Sequence, residues 1–132
     1  MNDLMFHHTD IKNIAYVGFG GVLGALLRYG FFELTYGLVS IFIINIIGSF
    51  LLGILMYSTE FGYVNPYFRV FVGIGFLGSL TTFSHFAFQS YIVFTHSLAI
   101  FTIYIVLNIL FAILSIHFAK TVFLLISKGG SV

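Results

Sequence analysis

Between Arg69 and Lys120 the chain carries no Asp, Glu, Lys or Arg, yet that interval contains Gly75-Phe76-Leu77-Gly78-Ser79-Leu80-Thr81-Thr82-Phe83-Ser84-His85-Phe86, a run of glycines, hydroxyls and phenylalanines. Polar, glycine-broken backbone at bilayer depth is tolerated only where it is buried in protein or lines an aqueous path, so the run marks a permeation or binding site. Phe83 and Phe86 are three residues apart and project from one helix face. With 18 Phe in the chain, a Phe pair alone is ordinary lipid-facing or core material; the neighbouring Thr81, Thr82 and Ser84 make this one amphipathic. The edge of an aromatic ring carries partial positive charge, so edge-on rings beside hydroxyls can hold a small anion without a formal cation. Weak coordination of that kind also lets the ion leave.

Other polar residues lie within apolar segments. Asn45 is either hydrogen-bonded glue between helices or a donor facing a cavity. Tyr104, Asn108 and Ala112 fall at i, i+4 and i+8, so Tyr104 and Asn108 share a face and offer two donors in line. Arg28 is either a functional intramembrane cation or a side chain snorkelling to the interface near Glu33. His85 could titrate near neutral pH or sit as a neutral, hydrogen-bonded imidazole; His7, His8, His96 and His117 show no metal spacing with it. All four acids, Asp3, Asp10, Glu33 and Glu60, fall at or outside the span ends, whereas proton-coupled exporters and cation pathways place a carboxylate within the membrane. Neutral donors and one Arg suit an anion.

These residues need a scaffold, and composition defines it. The 132 residues are 60% hydrophobic and 7% charged, with no Cys and one Pro, and the mean hydropathy is +1.11. That is a membrane protein without disulfide or thiolate chemistry. The near-neutral charge lacks the basic cluster that nucleic-acid binding requires. The start, with Asp3 and Asp10 against one Lys, does not resemble a secretory signal. A short polar segment 1–10, a transmembrane domain 11–126 and a tail 127–132 are expected. Spans are predicted over Ile11–Phe32, Leu38–Ser58, Tyr67–Phe94 and Leu98–Ile126, each long enough to cross about 30 Å of hydrocarbon. Asn65-Pro66 marks the turn before the third span and Thr95-His96-Ser97 the break after it. The third is overlong and its glycines precede the hydroxyl run, which predicts an interrupted helix. Gly20-xxx-Gly24, Gly21-xxx-Ala25 and Ser49-xxx-Gly53 are close-packing spacings. So small a bundle buries little surface, which predicts self-association or a partner subunit.

Four spans put both termini on one side with Lys12, Arg69, Lys120 and Lys128, leaving Arg28 toward the other. The bias predicts cytoplasmic termini.

Together, Gly20–Tyr29 on the first span, Asn45-Ile46-Ile47-Gly48-Ser49-Phe50 with Gly53 on the second, and Gly75–Phe86 on the third resemble the three motifs of the Fluc (CrcB) family of fluoride channels, in order and along nearly the whole chain. The resemblance implies an all-α membrane protein, an antiparallel dual-topology dimer, of one chain or of two homologous chains, with two fluoride pores, and a structural Na+ between the subunits. Set against the charge bias of this chain, it predicts pairing with a homologous subunit of opposite bias, since insertion in both orientations requires a bias near zero. By motif position, Phe83, Phe86 and Asn45 would line the pore with Ser84, and Tyr104 and Asn108 would continue it along the fourth helix. Arg28 would be the vestibule cation, and the main-chain carbonyls of Gly78 and Thr81 would bind Na+. His85 stands where the family usually has a small residue, Asn108 where Ser is common, and Ala112 lacks a hydroxyl often found there. The implied activity is passive fluoride exit across the inner or plasma membrane, which lowers cytoplasmic fluoride. A small multidrug-type exporter and a non-transporting membrane scaffold are the rival readings.

Overall fold

The computed structural model describes residues 2–35 and 37–129, with side chains from residue 11 to 127. Helix α1 runs Asn2–Leu34 and α2 Leu38–Glu60. The third span consists of α3 (Pro66–Arg69), a π-helical segment Val70–Leu77, α4 (Gly78–Leu80) and α5 (Phe83–His96). Helix α6 spans Leu98–Gly129. Four of these stretches are long and apolar enough to cross a membrane: Ile11–Leu34, Leu38–Glu60, Pro66–His96 and Leu98–Ser127. They match the predicted spans to within a few residues. The polar segment 1–10 joins α1 from Asn2, and the end of the tail, residues 130–132, lies outside the described residues.

The turns follow local chemistry. The link between α1 and α2 turns at Gly37, which adopts φ +86°, and the Ser40 hydroxyl donates to the Thr35 carbonyl. Asn65 caps α3, its side chain accepting from Tyr67 N at 2.9 Å with Pro66 in the first helical turn. At the far end, Ser97 is extended and its hydroxyl accepts from Ile100 N at 3.4 Å, so a single residue joins α5 to α6.

The first span packs on the first half of the third, and α2 on α6; past the break, α5 packs on α6, with Phe94 against Phe101 at 5.2 Å. On α1, added Cβ atoms would collide with the third span: at Gly20 with the Phe71 carbonyl and, at 2.9 Å, with Phe76 N, and at Gly24 with the Phe76 carbonyl. Reciprocally, a Cβ on Gly75 would lie 2.7 Å from the Val17 carbonyl. The Gly20-xxx-Gly24 spacing is therefore an intrachain face, whereas Gly21 has nothing within 4 Å. Helices α2 and α6 run parallel through the ring pairs Phe42–Phe111, Phe50–Phe118 and Tyr57–Phe123 at 5.6, 5.8 and 6.4 Å. Gly53 brings α6 close, since its Cβ would meet Ala119 at 2.7 Å. Ile44, Leu55, Leu77 and Leu80 form the small core between the two pairs.

The glycines of the third span do not break it. Gly73 and Gly75 lie in the π-helical segment, whose wider turns let the backbone approach α1. The helix ends at Thr81 and Thr82, both extended at ψ 156° and 118°.

Candidate functional site

The break is held open by one side chain. Asn45, in the first half of α2, donates from Nδ2 to the Thr82 carbonyl at 3.1 Å and accepts the Thr82 N–H on Oδ1 at 2.9 Å. The Thr82 N–H and carbonyl are thereby both satisfied, where a backbone group left bare in lipid would cost several kcal/mol. Thr82, only 5% exposed, is the N-cap of α5: its Oγ1 accepts from His85 N at 3.2 Å and lies 3.3 Å from Ser84 Oγ. Thr81 ends α4 with its N–H and hydroxyl both on the Leu77 carbonyl, at 3.0 and 2.9 Å. In a continuous helix, Thr82 N–H would close onto the Gly78 carbonyl and His85 N–H onto the Thr81 carbonyl. Here Asn45 and the Thr82 hydroxyl take those donors, and the carbonyls of Gly78 and Thr81, like those of Ser79 and Leu80, lose their helical partners.

Around this break lies an open cavity of about 380 Å³. Its wall brings together Asn45, Gly78, Thr81, Phe83, Phe86 and Asn108, six of the sequence-derived site residues, and no charged residue lines it. Phe83 and Phe86 approach to 6.0 Å at 50°, and Phe86 meets the Tyr104 ring at 5.6 Å. Tyr104 and Asn108 are 8% and 7% exposed. Asn108 Nδ2 donates to the Tyr104 carbonyl at 2.8 Å, while the Tyr104 hydroxyl and Asn108 Oδ1 find no partner among the described residues. Unpaired buried polar atoms at membrane depth call for water, an ion or a second protein surface.

Ser84, Tyr104 and Arg28 are not on this wall. Ser84 turns to Thr82, and Tyr104 reaches the site only through its ring against Phe86. Arg28 is half-buried on α1, one turn before Phe32, whose ring lies 4.9 Å from the His85 imidazole. Sequence reasoning passed over Thr82 as a site residue and Gly48, whose Cβ would collide with Thr81 Cγ2. The signal for Thr82 was present: a Thr directly before a new helix is an N-cap.

A four-span membrane bundle whose broken third span faces a neutral, aromatic-edged cavity is the class that fold and site define. The family model described as CrcB-like protein, Camphor Resistance (CrcB), matches residues 15–119, and the chain belongs to that family. Among its relatives, the fluoride-specific ion channel FluC of Methanocaldococcus jannaschii is 31% identical over 123 residues, covering 89% of this chain and 99% of its own length. FluC 3 of Methanosarcina barkeri is 38% identical over 125 residues, 87% of this chain and 92% of that protein. FluC 2 of Methanosarcina acetivorans reaches 46% over 83 residues, 62% of this chain and 66% of the relative.

Proposed function

We propose that this protein is a fluoride channel, a multi-pass protein of the plasma membrane that lets fluoride leave the cytoplasm passively. The carrying observation is the cavity at the Thr81–Thr82 break, where two phenylalanines and neutral amides and hydroxyls converge without a carboxylate. Ring edges and neutral donors hold a small anion weakly enough to release it. A membrane potential, inside negative, drives such an anion outward at about 2.3 kcal/mol per charge per 100 mV. The names of the relatives agree with this reading. A proton-coupled multidrug exporter needs a titratable acid in the membrane, and Glu33 and Glu60 are exposed at span ends. A scaffold would leave the cavity and the unpaired Tyr104 and Asn108 atoms without purpose.

In this reading Phe83, Phe86, Asn45 and Asn108 line the path, with Ser84 and Tyr104 completing it and Arg28 in a vestibule. The cavity is open on one side, and an antiparallel second subunit would close it. The carbonyls of Gly78 and Thr81, freed of their helical donors, are hard oxygen ligands suited to Na+. Two carbonyls from each subunit would hold the ion between copies, where it would fix the breaks against each other. A Cβ on Gly78 would meet only the Gly73 carbonyl, at 3.6 Å, so packing within the chain does not require glycine there.

The test is fluoride efflux from loaded liposomes containing the purified protein. Efflux should appear only when a potassium ionophore balances the charge; its absence, or efflux without charge compensation, overturns the channel reading. Exchange of Na+ for a large organic cation on both sides should abolish efflux slowly, and full activity after verified removal would rule out the Na+ site.

A further inference from the structure

The groove between α2 and α6 does not stop at the central cavity. On α2, Asn45, Ser49, Leu52 and Met56 recur every three or four residues and share a face. The first three line the central cavity, while Leu52 and Met56 line a second one of about 560 Å³, so Leu52 belongs to both. On α6, Asn108 and Ala112 face the first cavity and Ile116 the second. The next residue on that stripe is Lys120, whose Nζ stands 5.9 Å from the ring centroid of Tyr57, itself part of the second wall. Arg69, at the start of the third span, completes that wall with Glu60 opposite in charge. Both cations are exposed, and the three formal charges leave this end net positive.

We propose that Arg69 and Lys120 form the cationic mouth of the anion path on the side of the termini, gathering fluoride from water and passing it along the groove toward Asn108 and Phe86. The proposal rests on the channel reading above. The central cavity has no charge with which to attract an anion from a distance, whereas cations in a cleft with low-dielectric walls focus the field and raise the local anion concentration. The aromatic face of Tyr57 keeps the Lys120 ammonium beside the cavity, where a lysine that served only to orient the chain would be free to extend into the headgroups.

Steering by charge is screened by salt, with a Debye length of about 30 Å at 0.01 M and about 3 Å at 1 M. Fluoride efflux is therefore measured for the wild type, Arg69→Gln, Lys120→Gln and the double variant, in vesicles of zwitterionic lipid. Fluoride is kept in its linear range, where entry controls flux, and ionic strength is set at each of those two values. The double variant should lose roughly tenfold in low salt and match the wild type in high salt, with each single variant between. Unchanged efflux in low salt, or an equal loss at both ionic strengths, overturns the mouth and leaves the two cations a structural or orienting role. Absence of efflux from the wild type instead overturns the channel reading, and the mouth with it.

Discussion

Phe83 keeps 79% of its surface exposed although it stands beside hydroxyls at the middle of a span, and its ring is free to turn an edge toward whatever enters the cavity. Replacing Phe83 or Phe86 with Ile keeps apolar bulk and removes the ring-edge charge. Either variant should lower fluoride efflux while size-exclusion chromatography shows unchanged assembly; full efflux from both would remove the rings from the path. Asn45 carries a different burden, because both faces of its amide are committed to Thr82. Asn45→Asp loses the donor to the Thr82 carbonyl and sets a carboxylate against it, which should cost about 1–3 kcal/mol. Lower thermal stability in detergent together with lost efflux is expected, and an Asp variant as stable as the wild type would show that the pairing does not hold the break. Asn45, Asn108 and the Phe pair were legible in the sequence because polar or hydroxyl-flanked residues inside apolar spans attract suspicion. The pairing of Asn45 with Thr82 was not, because it joins positions 37 apart, and no local pattern carries that information.

At the scale of elements, the spans could be read from hydropathy alone, since each apolar stretch is bounded by Gly, Pro or charge or, between the third and fourth, by Thr95-His96-Ser97. The partner of each span could not: a Gly-xxx-Gly spacing announces close approach but not what approaches. Nor does composition distinguish a π-helical segment from an α-helical one, since the two differ only in which carbonyl each N–H meets. The structure assigns Gly24 to the Phe76 carbonyl and leaves Gly18 with open space. Gly24→Ala should therefore destabilise the fold by about 1–3 kcal/mol through overpacking, whereas Gly18→Ala should leave it unchanged. Thermal unfolding of the two variants in one detergent checks this, and equal melting temperatures would contradict the packing of α1 on the third span.

For the whole molecule, the small core leaves most large apolar side chains of α1 and α6 exposed among the described residues, as suits helices surrounded by lipid. More than one FluC protein of Methanosarcina barkeri matches this chain. With Lys12, Arg69, Lys120 and Lys128 on the side of the termini, a reporter fused at the C-terminus should show a cytoplasmic location in nearly all molecules. Equal reporting from both sides, with full efflux from this chain alone, would establish a self-sufficient homodimer instead. The packing of α1 on the third span and of α2 on α6 also sets a timetable for biogenesis. As the chain leaves the ribosome, the first span enters the bilayer long before the third exists, and its glycine groove must wait against lipid. Waiting is cheap there, since lipid tails are as apolar as the protein surface they cover. A nascent chain stalled before Pro66 would hold two inserted helices without their final neighbours, and release of the third would dock the first before the fourth could dock the second. The cavity at the break is in this sense completed last, when the final helix brings Asn108, Ile109 and Ala112 to its wall.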